Sequence, residues 1–214
     1  GSFVAEAKAE VDKQLVLPAG YALTWSGQYE YMERAKARLA YVVPLTVAII
    51  VLLLYLAFRR FQEVLLILTT LPLAVVGGIW TLWLLDFNLS VAVGVGFIAL
   101  AGVAVETGVL MLVYLNHAWD DLVASGKPDQ AGLHRAVIHG AALRLRPKMM
   151  TVVTIIAGLL PIMWSQGTGS EVMQRIAAPM IGGMVSALGL TLLVLPAAYY
   201  LWRSRSLPAY QQSE

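Results

Sequence analysis

Hydrophobic positions fall into long unbroken runs along this chain, not into the mixed pattern of a water-facing surface. A helix rises 1.5 Å per residue, so about 18 or more uncharged residues suffice to cross a bilayer's hydrocarbon core. Runs of that length predict five helices, over residues 39–58, 64–85, 90–115, 148–166 and 176–202. The stretch DFNLS, Asp86 to Ser90, interrupts the longest apolar region and predicts a loop before the third helix. Ahead of the first run, FVAEAKAEVDKQLVL sets Phe3, Val4, Ala7, Val11 and Leu15 at helical spacing. PAGY then predicts a turn, and YALTW alternates like a short strand. One helix and one strand do not close a core, so residues 1–38 read as the tail of a larger domain. The predicted fold class is an all-α membrane protein: five transmembrane helices preceded by a small α+β remnant. Residues 116–147 are expected to be a loop, with LHRAVIHGAALR an amphipathic helix along the membrane surface, and residues 203–214 a tail.

Composition agrees with a lipid solvent. Residues are 59% hydrophobic and 13% charged, and mean hydropathy is +0.72, whereas a soluble domain is about 25% charged. Without cysteine there is neither a disulfide framework nor a thiolate metal site. A net charge of +2 is too small to suggest nucleic acid as a partner. The distribution of that charge is more informative. Arg59, Arg60, Lys127, Arg135, Arg144, Arg146, Lys148, Arg203 and Arg205 fall at one end of the predicted helices, whereas the short loops at the other end hold only Arg175 and the N-terminal segment there carries Lys8, Lys13, Arg34, Lys36 and Arg38. Positive residues stay in the cytoplasm, which predicts an outside N-terminus and a cytoplasmic C-terminus.

Against this background one acid stands out. Glu106 lies in LAGVAVETGVLML, with ten or more uncharged residues on either side. A carboxylate at the bilayer centre costs at least about 2.5–3.5 kcal/mol, so it is expected to face a protein interior or a water path. Apolar surroundings favour its neutral form and a nearby cation its anion, the opposed pulls that a proton-coupling group needs. A neutral Glu bonded between helices as packing glue satisfies the same pattern. Ala99, Gly102 and Glu106 share one face of small residues, and Gly94, Ala101 and Gly108 form a second seam, so close helix packing is expected around it. Lys148, in RLRPKMM at the predicted start of the fourth helix, either anchors to headgroups beside Arg144 and Arg146 or reaches inward toward an acid. Its predicted place at the helix end leaves it too far from Glu106 for contact, unless that helix begins earlier, near Ala141. Met149, Met150, Met163, Met173, Met180 and Met184 crowd the last two helices; packing accounts for most of them. Met173 differs, standing beside Ser170, Glu171 and Arg175 at the outer mouth of the last helix, where a soft thioether suits Cu(I) or Ag(I). His134 and His139 are five apart, a poor spacing for two ligands on one helical face. No nucleophile with a base, no HExxH and no phosphate-binding glycine loop is visible, which argues against an enzyme.

Longer motifs carry a likeness. LTWSGQYEYMERA, YLAFRRFQEVLLI, SVAVGVGFIALAGVAVETGVLML, RLRPKMMTVVTIIAGLLPIMW and GTGSEVMQRIAAPMIGGM, within a likeness that runs from about Leu17 to Trp202, resemble the heavy-metal efflux branch of the resistance–nodulation–division (RND) transporters. They are most similar to its copper- and silver-exporting subgroup. The resemblance implies that the chain is the C-terminal end of a pump roughly five times longer, its helices the last five of twelve and its first residues the tail of a periplasmic domain. It further implies a homotrimer in a bacterial inner membrane, working with a periplasmic adaptor and an outer-membrane channel, with Cu(I) or Ag(I) as substrate and no cofactor. By motif match, Glu106 and Lys148 become members of a proton relay whose further Asp lies outside this chain, and Met173 a member of a methionine relay for metal. Rival readings are a divalent-metal or organic-substrate pump of the same superfamily, or a related membrane assembly protein that does not transport.

Overall fold

The computed structural model describes residues 2–207 except 16, 17, 19, 21, 24, 26, 127 and 128. The described residues form seven helices: α1 (Ser2–Gln14), α2 (Gln28–Phe58), α3 (Phe61–Leu68), α4 (Thr70–Leu84), α5 (Val91–Ala124), α6 (Gln130–Met163) and α7 (Ser170–Ser204). Five stretches are long and apolar enough to cross a membrane, with α3 and α4 counting as one, Phe61–Leu84. The step between α3 and α4 has a local cause. Pro72 has no N–H for the carbonyl of Leu68, four residues back, and its ring crowds that carbonyl.

Two expectations are corrected. No strand occurs among the described residues, so the α+β remnant is not supported. Ala22, Leu23 and Trp25 of the YALTW stretch have no regular structure, while Tyr21 and Thr24 lie outside the described residues. The second correction concerns the interval 116–147, which is helical almost throughout: α5 continues to Ala124 and α6 begins at Gln130. Asp129 caps α6 by accepting the Gly132 N–H at 2.7 Å, satisfying one of the free donors of the first turn. Pro147 does not stop this helix. Lys148 therefore sits deep inside α6 and not at its start.

The chain divides into two compact units, residues 1–53 and 54–214. Within the first lie α1, with Val4, Ala7 and Val11 half-buried, and most of α2. Along α2, Leu45, Leu52 and Leu53 are exposed, the expected state of apolar side chains whose solvent is hydrocarbon.

In the second unit α4, α5, α6 and α7 share a core of Ala74, Leu100, Ala104, Val152, Met184 and Ala187. Where lipid tails surround the helices there is little hydrophobic drive to bring them together, so small residues decide where backbones meet. The tightest crossing is between α4 and α7. A Cβ on Gly182 would stand 2.6 Å from the Gly77 carbonyl oxygen and overlap Thr81 Oγ1. Ser186 Oγ reinforces the crossing with bonds to the carbonyls of Gly183 at 3.0 Å and Leu73 at 3.1 Å. Ser90, at the end of the expected DFNLS loop, caps α5 by accepting the Val93 N–H at 3.4 Å.

Candidate functional site

The α5–α6 hairpin sets the register of the charged residues. Glu106 precedes the end of α5 by 18 residues, and Lys148 follows the start of α6 by 18. In antiparallel neighbours joined by a short turn, equal offsets place two residues at the same level, here about 27 Å from the turn. Gly140 verifies the register: a Cβ there would meet the Tyr114 carbonyl oxygen at 3.1 Å and the Ala118 side chain at 3.3 Å. The mid-helix acid and the lysine predicted too far from it are thus brought together.

They share a groove of about 70 Å³, lined by Glu106, Thr107, Leu110 and Met111 of α5, Arg144, Pro147, Lys148 and Thr151 of α6, and Leu192 of α7. A water molecule needs only about 10–15 Å³ of such space, so the groove has room for water beside the charges. Glu106 attracts the Lys148 ammonium and Arg144 repels it, although the Glu106 and Lys148 side chains are not in direct ion-pair contact among the described residues. Pro147 leaves the Leu143 carbonyl without its usual intrahelical donor, which loosens α6 beside Lys148.

Glu106 itself is exposed within this chain, as are Ala99 and Gly102 on the same face. Of the small-residue seams read from the sequence, only Gly108 packs closely, with its Cβ position 3.0 Å from Thr70 Cγ2; Gly94 and Gly102 have open space in front of them. Helix α5 is packed through its own buried residues Val93, Gly96, Leu100, Ala104 and Leu115, and not on the face that carries Ala99, Gly102 and Glu106.

Met173 is not part of this groove. It lies exposed in the first turn of α7, about 28 Å along that helix from Leu192. Among the described residues no cluster of three or more His, Cys, Asp or Glu side chains could hold a metal ion. His134 stacks edge-on against Tyr200 at 6.0 Å and His117 against Tyr114 at 6.3 Å, while His139 is exposed.

A second polar cluster joins the basic ends of α3, α5 and α7. Glu63, only 3% exposed, accepts a bond from Asn116 Nδ2 at 3.1 Å and lies 3.7 Å from the Arg203 guanidinium. Asn116 Oδ1 accepts from the Tyr199 hydroxyl at 2.8 Å and from Arg203 at 3.3 Å, and Arg203 Nε donates to that hydroxyl at 3.2 Å. Three rings surround the guanidinium: Trp202 at 4.3 Å, Trp119 at 5.0 Å and Tyr199 at 5.4 Å. Burying two charges is tolerated because nearly every donor and acceptor is answered. Sequence reading counted Arg203 among the basic residues at one end of the helices and left Glu63 between the predicted helices 39–58 and 64–85. A long apolar helix that ends in Tyr199, Trp202 and Arg203 was the available signal.

Comparison with known proteins places these features. Residues 1–203 match the AcrB/AcrD/AcrF family. The cation efflux system protein CusA of Escherichia coli (strain K12) is 53% identical over 208 residues, covering 95% of this chain and 20% of that protein. The cobalt-zinc-cadmium resistance protein CzcA of Cupriavidus metallidurans is 41% identical over 201 residues, covering 94% and 18%. A crystal structure of a heavy metal efflux pump superposes with a TM-score of 0.76 at 36% identity, over 95% of this chain and 19% of that one. The chain thus spans about a fifth of the length of the curated relatives it matches. The match over nearly all of its length and the five-helix architecture lead to one conclusion: the chain belongs to the AcrB/AcrD/AcrF family of RND transporters, as a segment similar to their heavy-metal efflux members.

Proposed function

We propose that this chain is the proton-handling part of an inner-membrane pump that exports monovalent metal, Cu(I) or Ag(I), in exchange for protons. The carrying observation is the groove itself, in which the Glu106 carboxylate of α5 and the Lys148 ammonium of α6 line one water-sized space midway along the hairpin. Glu106 is then neutral when it holds a proton and anionic when it faces Lys148. Each form favours a different spacing of α5 and α6, and proton binding shifts the population between them. In alternating access, such a shift opens a distant substrate site to one side or the other. The preference for a monovalent metal rests on the motif resemblance and the exposed Met173 thioether. It also rests on 53% identity to a cation efflux system protein against 41% to a cobalt-zinc-cadmium resistance protein. The working pump is a homotrimer coupled to a periplasmic adaptor and an outer-membrane channel, with the basic helix ends in the cytoplasm and the N-terminal segment outside.

Replacing Glu106 by Gln in the full-length protein is expected to abolish proton-linked metal export while leaving the folded protein in the membrane. The assay is uptake of Ag(I) or Cu(I) into inverted proteoliposomes under an imposed pH gradient. Undiminished transport by that variant defeats the proposal. Transport of Zn(II) or Co(II) with no response to Ag(I) moves the substrate to the divalent class suggested by the 41% relative.

A further inference from the structure

Helix α6 is held unevenly along its length. Its first half is locked to α5. Leu133, Val137 and Gly140 are buried there, and a Cβ on Gly132 would overlap the Leu122 side chain. Beyond Pro147 the same helix continues to Met163 with a single buried side chain, Val152, which joins the core of Leu100 and Ala104. Ile155, Ile156 and Leu159 are half-buried beside it, whereas Met150 and Val153 are exposed and Gly158 has open space in front of it. The neighbouring helices are packed more closely. Added Cβ atoms would collide where α4 meets α7 at Gly77 and Gly182, and where α5 meets α7 at Gly96 and Gly183. Glu63, Asn116 and Arg203 then join the basic ends of α3, α5 and α7.

Pro147 lies where the tight and the loose halves of α6 meet. It offers no N–H to the Leu143 carbonyl, and its ring crowds that oxygen, a common cause of bending in a long helix. We propose that residues 148–163 form a hinged arm, which swings about Pro147 against a fixed frame of α4, α5 and α7 and opens or closes the α6 wall of the groove. The arm extends about 24 Å beyond Pro147, so a tilt of about 10° moves its outer end by about 4 Å. Such a tilt disturbs one fully packed side chain, whereas a tilt of α7 would have to break the close contacts at Gly96, Gly182 and Gly183. Exposed apolar side chains such as Val153 move through lipid tails with little change of surroundings. Thr151 travels with the arm, while Glu106, Thr107 and Leu192 stay with the frame, so the swing changes the space available to water beside the acid. In its purpose, though not in its mechanics, the hinge rests on the proton-relay reading of the groove.

The test measures distances between paired spin labels in the full-length pump. Val95 of α5 and Leu160 of α6 lie beyond the hinge, Asp121 and Ile138 lie before it, and all four are exposed. The outer pair is expected to give a distance distribution about 3 Å wider than the inner pair. P147A restores the bond to the Leu143 carbonyl, and is expected to narrow the outer distribution to the inner width and to slow Ag(I) transport several-fold. P147G, with a pliant backbone in place of the ring, is expected to keep the wide distribution and transport faster than P147A. Equal widths for the two pairs in the parent overturn the inference, whether or not P147A folds. A P147A pump that keeps the wide distribution, or that is no slower than P147G, overturns it as well. Undiminished transport by E106Q would instead overturn the relay reading, and the two widths would still decide whether α6 is hinged.

Discussion

Replacing Arg203 by Met tests the charged brace between α3, α5 and α7. The substitution keeps much of the side-chain length but strands Glu63, whose carboxylate is buried. Removing one partner of a buried ion pair costs about 3–5 kcal/mol. Two features offset part of that. Asn116 still donates to Glu63 at 3.1 Å, and Arg60 stands 4.0 Å away, though more than half exposed and so only weakly effective. A loss of about 3 kcal/mol is therefore expected for R203M. The reciprocal variant E63Q leaves Arg203 its bonds to Tyr199 and Asn116 and its three ring faces, and is expected to cost only about 1–2 kcal/mol. In the double variant neither charge is stranded, so its loss should fall short of the sum by about 2 kcal/mol. Denaturant unfolding of the full-length protein in detergent micelles, with all four species in one double-mutant cycle, measures this directly. Additivity to within about 0.5 kcal/mol, or an R203M variant as stable as the parent, would refute the account of the cluster as one coupled unit.

Other consequences follow from the same packing. Gly182→Val puts a branched side chain against the Gly77 carbonyl and Thr81, so α7 must move away from α4; a loss above about 1–3 kcal/mol, read as a lower midpoint of thermal unfolding, is expected. Thr191 is fully buried with a hydroxyl that finds no partner among the described residues, so Thr191→Val should be neutral or stabilising by up to about 1 kcal/mol in the same assay; clear destabilisation would show that the hydroxyl is bonded. Met173→Ile in the full-length pump is expected to slow Ag(I) movement several-fold while leaving the pH profile unchanged, because the residue is remote from the groove. An unchanged rate in vesicles returns Met173 to a packing role.

Glu106 and Glu63, both in the second unit, were unequally legible before the fold was seen. Glu106 was conspicuous because nothing near it in the sequence is charged. Glu63 was not, because it follows Arg59 and Arg60 in a stretch that reads as an ordinary basic turn, yet it is the more deeply buried of the two. Lys148 was visible as a residue, but its position along its helix was misread. Charge in RLRPKMM and the proline within it marked a helix start, whereas α6 had begun 18 residues earlier and passes through Pro147. Local composition reports how a segment partitions into lipid, and it cannot report that a helix continues past the hydrocarbon as part of a packed hairpin. Arg144 was missed for the same reason, since its company in sequence was basic and its company in space is Tyr114, Glu106 and Lys148.

What the sequence determined by itself was the solvent, the number of apolar helices and the existence of an acid that hydrocarbon would reject. Each depends on the transfer free energy of a contiguous stretch, which is a property of adjacent residues. The tertiary structure decided which charges meet. Equal offsets of Glu106 and Lys148 from the α5–α6 turn, the close approach at Gly140 and the convergence of Glu63, Asn116 and Arg203 depend on register between helices far apart in sequence. That register is set by where small side chains let two backbones approach, and it leaves no periodic trace along the chain.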